Sequence, residues 1–365
     1  MKLILFEFKK IVCSKVFPLF LLITALFITI FFISNVAHQE AIPSKKIEQF
    51  SKHASHVLSQ FQGDQKILEK GPNPEIEKRI DIAGTLYDQL KGLTQAIEAG
   101  KWKKELQLEN MVYISAMKFQ NVDGSFSMSQ EDMKKTMRYN NELLARGLPK
   151  EDLDYSIQTS IFMKKIVSFL LTPIPFIILL VLLSIFITKE FEEQNMKLVY
   201  SLPISKLKYI CVKYVSLLLT GIIWLGVIFI LSYTIPSIFG ENIGDVFNYP
   251  LFANSGDFVS SGEYLMRAIV SSICFMTFVV ALLLLVSFSV RNLVITSLVM
   301  VFILGGAIII TKNSVENFWN PFVYQNIDQA IIKTVSYYPI SLLPLLIIMI
   351  FLIFITLILN RKRGI

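Results

Sequence analysis

The sequence predicts an all-α polytopic membrane protein, with six transmembrane helices and a large helical extracellular domain between the first and second. Three observations predict it. Hydrophobic residues make up 53% of the 365 positions and charged ones only 17%. The apolar residues gather into long blocks instead of recurring at core-forming intervals, as they would in a soluble chain of this length. The charges gather in one long insertion and in short stretches beside the blocks. A spanning helix needs about 20 mostly apolar residues to cross roughly 30 Å of hydrocarbon with its backbone groups satisfied internally.

Residues 1–15 read as an N-terminal amphipathic interfacial helix, followed by the first span at 16–36. This block follows a basic start, as a signal peptide does, but no small-residue cleavage site follows it and its length suits a retained span. Residues 37–165 are the one segment with the composition of an aqueous domain, and their pattern is helical. Ile76, Ile80, Ala83, Leu86, Tyr87, Leu90, Leu93 and Ile97 recur at three- and four-residue steps, the apolar stripe of an amphipathic helix. Breakers stand at Gly71-Pro72-Asn73-Pro74, Asn121-Val122-Asp123-Gly124 and Gly147-Leu148-Pro149. Helices are expected over Glu131 to Arg146 and over Lys150 to Lys165, the latter running directly into the second span at 166–188. Pro173 and Pro175 are expected to kink the outer half of that span.

Further spans are read at 209–235, 265–290, 293–311 and 339–359, with Arg291 and Asn292 forming a tight turn between the fourth and fifth. An extracellular loop fills 236–264, an extracellular re-entrant segment fills 312–338, and a tail occupies 360–365. Basic residues next to the spans set the orientation. Lys2, Lys9, Lys10 and Lys15, then Lys189, Lys197, Lys206, Lys208 and Lys213, then Arg361, Lys362 and Arg363 all fall on one side. The intervening loops carry Glu241, Asp245, Asp257, Glu263, Glu316 and Asp328. Both termini are therefore expected in the cytoplasm. Most of the formal +7 charge belongs to these anchors, so it does not point to nucleic acid.

Chemistry-bearing patterns are sparse. Cys13, Cys211 and Cys274 lie in or beside the spans, which leaves the insertion without a disulfide framework. His53 and His56 have a spacing that places two imidazoles on one helix face, but no further ligands accompany them and no metal is expected. No G-x-x-x-x-G-K-[ST] phosphate cradle occurs, so no ATP site is recognised. The span interiors are read as free of ionisable groups, which disfavours a carrier driven by protons or sodium. A pathway would then be lined by Ser184, Trp224, Ser271, Ser272, Thr277 and Thr296, each of which also suits helix packing. Gly305-Gly306 is expected to allow close helix approach.

The stretch after the second span is the most informative. Glu190, Glu192 and Glu193 open it, Met196, Leu198, Val199 and Leu202 follow, and Ser201-Leu202-Pro203-Ile204-Ser205 precedes Lys206. Early acids favour a helix start and Pro203 ends the helix, giving a short amphipathic element against the membrane face. This region resembles the coupling helix of ABC-2 type transporter permeases, the transmembrane subunits of bacterial type V ABC exporters. In that family an acidic pair precedes a hydrophobic stretch ending in Ser-x-Pro-[IV]-Ser-[RK]. Glu192, Glu193, Ser201, Pro203, Ile204, Ser205, Lys206 and Lys213 match, while Gln194 and Asn195 stand where the family often has Gly and Thr. The topology matches as well, and the stretch from Asn317 through Tyr338 looks like the family's short outer re-entrant helices.

The resemblance implies a cytoplasmic coupling helix over 189–208, with Glu190, Glu192, Glu193, Leu198, Ser201, Pro203, Ile204, Ser205 and Lys206 as ATPase-coupling residues. It implies no catalytic residue, a second permease forming a homodimer or heterodimer, membrane lipid around the spans, and two copies of a cytoplasmic ABC ATPase subunit. ATP and Mg would sit on that partner and no cofactor on this chain. Export of an amphipathic substrate, such as an antimicrobial peptide, a lipid or a drug, across a bacterial cell membrane follows from the same resemblance. The competing reading is a membrane-anchored sensor whose extracellular domain binds a ligand. It requires a cytoplasmic output domain, and the longest inner segment is only the coupling-like stretch.

Overall fold

The computed structural model describes residues 2–193, 205–252, 258–313, 319–333 and 338–362. Its elements, in chain order, are α1 (Lys2–Val12), α2 (Val16–His38), α3 (Ala41–Leu68), α4 (Pro74–Glu98), α5 (Trp102–Gln120), α6 (Gln130–Arg146), α7 (Thr159–Leu170) and α8 (Pro173–Glu192). After these come α9 (Lys206–Phe239), β1 (Pro250–Phe252), β2 (Phe258–Ser260), α10 (Ser261–Val290), α11 (Leu293–Asn313), α12 (Ile327–Lys333) and α13 (Leu343–Lys362). Six of these, α2, α8, α9, α10, α11 and α13, are long and apolar enough to cross a membrane. The chain divides into two compact units, one of residues 1–32, 159–240 and 251–365, the other of residues 33–158 and 241–250.

The second unit is built on α3 to α6; the breaks after α3 and α5 fall at the expected breakers, while that between α4 and α5, at 99–101, was not foreseen. Asn73 caps α4 by accepting from the Glu75 and Ile76 amides, and Pro74 occupies the first helical position, where its missing N–H has no consequence. Gly147 ends α6 in the left-handed conformation at φ 68°, ψ 34°. The predicted apolar stripe on α4 is the one that is buried: Ala83, Leu86, Leu90 and Leu93 pack with Val57 of α3, Val112 and Phe119 of α5 and Met133 of α6.

The helix expected over Lys150 to Lys165 is corrected. Residues 147–158 are irregular, and the helix starts only at Thr159. Asp152 accepts from the amides of Asp154 and Tyr155 at 2.8 and 3.1 Å, and Ser156 Oγ accepts from the Gln158 amide at 3.0 Å. These local side-chain acceptors satisfy the amides that a helix would otherwise use, behind a Pro149 that already disfavours helix before it. Segment 241–250 completes this unit, with Arg146 donating to the Asn248 carbonyl at 2.7 Å and Tyr139 donating to the Tyr249 hydroxyl at 2.9 Å.

In the membrane unit the second span is shorter than expected and separate from the helix before it. Thr172, ahead of Pro173, is extended at φ −116°, ψ 169°, and Pro173 opens α8 as a new helix, so the prolines break the element instead of kinking it. The carbonyl of Leu171 left at this break accepts from the Ile327 amide at 3.1 Å, which docks α12 beside it. Tyr264 donates to Asp328 at 2.6 Å and fixes α12 against α10. The turn between the fourth and fifth spans falls where the sequence places it, with Arg291 in the left-handed conformation at φ 61°. Close helix approach occurs at Gly221 of α9, not at Gly305-Gly306. A Cβ built on Gly221 would lie 2.7 Å from Met276 Sδ, whereas nothing approaches either glycine of the pair within 4 Å.

Candidate functional site

At one end of the membrane unit, three stretches far apart in sequence converge on a buried ion cluster. Lys213, one turn into α9 beyond Tyr209, has a side chain only 4% exposed and donates to Glu7 of α1 at 2.5 Å and to Glu190 of α8 at 2.6 Å. Lys10 of α1 donates to the same Glu190 oxygen at 2.7 Å, and Tyr209 donates to the other. Two carboxylates thus face two ammonium groups, a neutral set in which Glu7, Glu190 and Lys213 are withdrawn from water and Lys10 stays half exposed. Partial burial draws the pKa of Lys10 down, but its bond to Glu190 and the charges of Glu190, Glu7 and Glu193 outweigh that, and the net shift is upward.

The sequence folds this way because α1 carries a single acid among its basic residues and places it toward α9. Glu7 and Ile11 are buried, while Leu5 and Phe6, on the other face, are exposed. Residues four apart share a helix face, which sets Glu7 beside Ile11 and Lys213 beside Tyr209. The expectation that span interiors hold no ionisable group is therefore corrected: Lys213 lies inside the third span, and its positive charge is held there by two carboxylates.

The hairpin between α10 and α11 joins the same end. Glu192 accepts from the Leu293 amide at 2.8 Å and so caps α11. Phe191 packs edge-on against Phe288 at 5.2 Å, with the Arg291 guanidinium 5.7 Å from the Phe191 ring centre. Glu193 is exposed and stands 3.4 Å from Lys189 one turn back.

Of the residues proposed from sequence for ATPase coupling, Leu198, Ser201, Pro203 and Ile204 lie outside the described residues. Glu192 and Glu193 are exposed, as are Ser205, which caps α9 through the Lys208 amide, and Lys206. Glu190 differs. An acid exposed for another subunit was expected there, and the structure buries it in the cluster because three donors surround it. Sequence reasoning missed Glu7 and Tyr209, and read Lys10 only as an anchor beside the first span. The available signals were a lone acid in a basic amphipathic helix and a lysine inside an apolar span.

The six residues proposed for a pathway sit among helix contacts. Trp224 Nε1 donates to Thr24 at 3.2 Å and its ring packs on Phe20 and Phe176, joining α2, α8 and α9. Ser184 lies 3.1 Å from Ser297 across α8 and α11, and Ser272 and Thr277 donate to carbonyls in their own helix. Ser271 and Thr296 are buried. Among the described residues no group of three or more His, Cys, Asp or Glu side chains is arranged to hold a metal.

A family-wide sequence model described as ABC-2 family transporter protein matches residues 1–359. The chain belongs to the ABC-2 transporter family. That match takes in nearly the whole of the six candidate spans, so the chain is an ABC-2 permease, a multi-pass membrane subunit of an ABC transporter. No curated protein and no solved structure matches this ABC-2 permease.

Proposed function

We propose that this permease exports an amphipathic substrate, driven by ATP hydrolysis on two partner subunits that act on the connector between α8 and α9. The assembly contains a second permease, identical or not, and both termini of this chain face the cytoplasm, on the side favoured by the basic flanks. The supporting observation is the ion cluster at the two ends of that connector. Glu190 lies three residues before Glu193, where α8 ends, and Tyr209 and Lys213 follow soon after Ser205, where α9 begins.

A force on the connector meets a junction in which α1, α8 and α9 are joined through buried charges. Pulling α9 away from α1 and α8 would part Lys213 from both Glu7 and Glu190 and leave a buried ammonium unpaired, a penalty of several kcal/mol. The three helices therefore move together, and a push received at the exposed Glu192 and Glu193 is passed to the spans as a rigid-body displacement. Glu190 serves as a positioning residue, and the ATPase contacts fall to Glu192, Glu193 and the motif through Lys206. ATP and Mg are bound by the partner.

The substrate class, an antimicrobial peptide, a lipid or a drug, is supported by family likeness and by the apolar character of the spans. The test is co-purification of the permease with its ATPase. Glu192→Lys with Glu193→Lys is expected to release the ATPase while the permease stays folded. Retention of the full complex with its transport activity would refute this assignment.

A further inference from the structure

Where the coupling stretch meets α9, a cleft of about 460 Å³ opens between the start of α9 and the end of α13. Its lining divides by chemistry. Ile210 forms a floor that is 1% exposed, Leu207 and Phe354 stand on the walls at 57% and 58% exposed, and Leu357 and Ile358 extend the apolar surface along α13. At the mouth stands Lys206, which is exposed, whereas Lys208, also exposed, is outside the lining. Arg361, Lys362 and Arg363 follow in the sequence at the end of α13.

We propose that this cleft binds one anionic phospholipid, with its headgroup phosphate at Lys206 and an acyl chain along Ile210, Phe354, Leu357 and Ile358. Both helices are candidate membrane spans, so an apolar cleft between them faces lipid, and an acyl chain is the apolar material available to fill it. The cations stand at the span ends, where headgroups lie and where basic clusters between helices select anionic lipid. A second copy of the chain is the poorer occupant. A two-fold contact here would set Lys206 of each copy against its equal. The proposal depends only on the spans being in a membrane and not on the coupling mechanism.

The test uses the purified full-length chain in detergent with equal amounts of phosphatidylglycerol and phosphatidylcholine, the retained lipids being counted by native mass spectrometry. The wild type is expected to retain phosphatidylglycerol in preference. Lys206→Gln should lower the phosphatidylglycerol-to-phosphatidylcholine ratio about fivefold, and Lys208→Gln, outside the lining, should leave it nearly unchanged. Ile358→Trp, which fills the cleft, should release both lipids, and excess glycerol phosphate should displace neither. An unchanged ratio in Lys206→Gln, or an equal fall in Lys208→Gln, overturns the proposal. Displacement by glycerol phosphate overturns it in favour of a free-anion site. Loss of dimer mass in Ile358→Trp with lipid retention unaltered overturns it in favour of a second copy. Each variant is compared at equal monodispersity, and no ATPase takes part, so the result is independent of the coupling assignment.

Discussion

Replacing Lys213 with Met removes the positive centre of the ion cluster and keeps a side chain of similar length. Glu7 and Glu190 then lose a donor that touched both, at 2.5 and 2.6 Å, so their oxygens stand no further apart than those two distances combined. Two carboxylates ~5 Å apart at an effective dielectric of about 20 repel by about 3 kcal/mol. Removing one member of a buried pair typically costs about 3–5 kcal/mol, in agreement with that figure. Lys10 compensates little, because it is half exposed and reaches only Glu190; an exposed pair contributes about 1 kcal/mol or less.

The assay is the temperature at which the purified protein loses its monodisperse peak after heating in detergent. Lys213→Met should lower it sharply. Adding Glu190→Gln should restore part of the loss, because the second change removes the charge that the first left unpaired. The double-variant cycle separates this coupling from simple loss of packing. If Lys213→Met melts with the wild type, or if Glu190→Gln adds a further loss instead of a recovery, the cluster does not hold the helix ends together.

Two further outcomes are expected from the same measurement. At Gly221 a branched side chain would collide with Met276, so Gly221→Val should destabilise by about 1–3 kcal/mol and Met276→Ala should relieve part of it, whereas Gly305→Ala should be neutral. In the second unit, burial raises the pKa of Glu151, opposed by the hydrogen bond from Ser156 and the charge of Lys46. A carboxyl with a raised folded-state pKa favours the folded protein when protonated, and that contribution is lost as pH rises through the raised value. Glu151→Gln should therefore raise the melting temperature near pH 8, and its advantage should shrink as pH falls toward the ordinary carboxylate range. An advantage independent of pH would show that Glu151 is not held in a desolvated site.

The parts of this protein that were legible in the sequence are those written in local patterns. The stripe from Ile76 to Ile97 marks α4 because one helix face had to be buried, and Gly147 marks the end of α6 because it adopts a left-handed φ. The parts that were not legible depend on competition or on distance. Residues 150–158 contain helix-compatible side chains, but the turns made by Asp152 and Ser156 satisfy the backbone first. The ion cluster joins Glu7 to Lys213 across 206 positions, and no periodicity reports such a pairing. Glycine spacing misled for the same reason: whether a glycine admits a neighbour depends on the facing helix, and Met276 faces Gly221.

The coupling motif was legible as a string of residue types, while the roles of its acids were not. Glu190, Glu192 and Glu193 look alike in sequence, yet one is buried among three donors, one caps α11 and one lies exposed beside Lys189. A helix turns about 100° per residue, so adjacent acids face different surroundings.

The most direct measurement places a single cysteine at Leu198, in the connector, after replacing Cys13, Cys211 and Cys274. In intact cells, an impermeant thiol reagent should leave it unlabelled, and a short bifunctional crosslinker should join it to the ATPase, with a yield that changes when ATP is bound. Labelling from outside the cell, or a connector that never crosslinks to the ATPase in an active complex, would contradict the proposal that force enters the permease there.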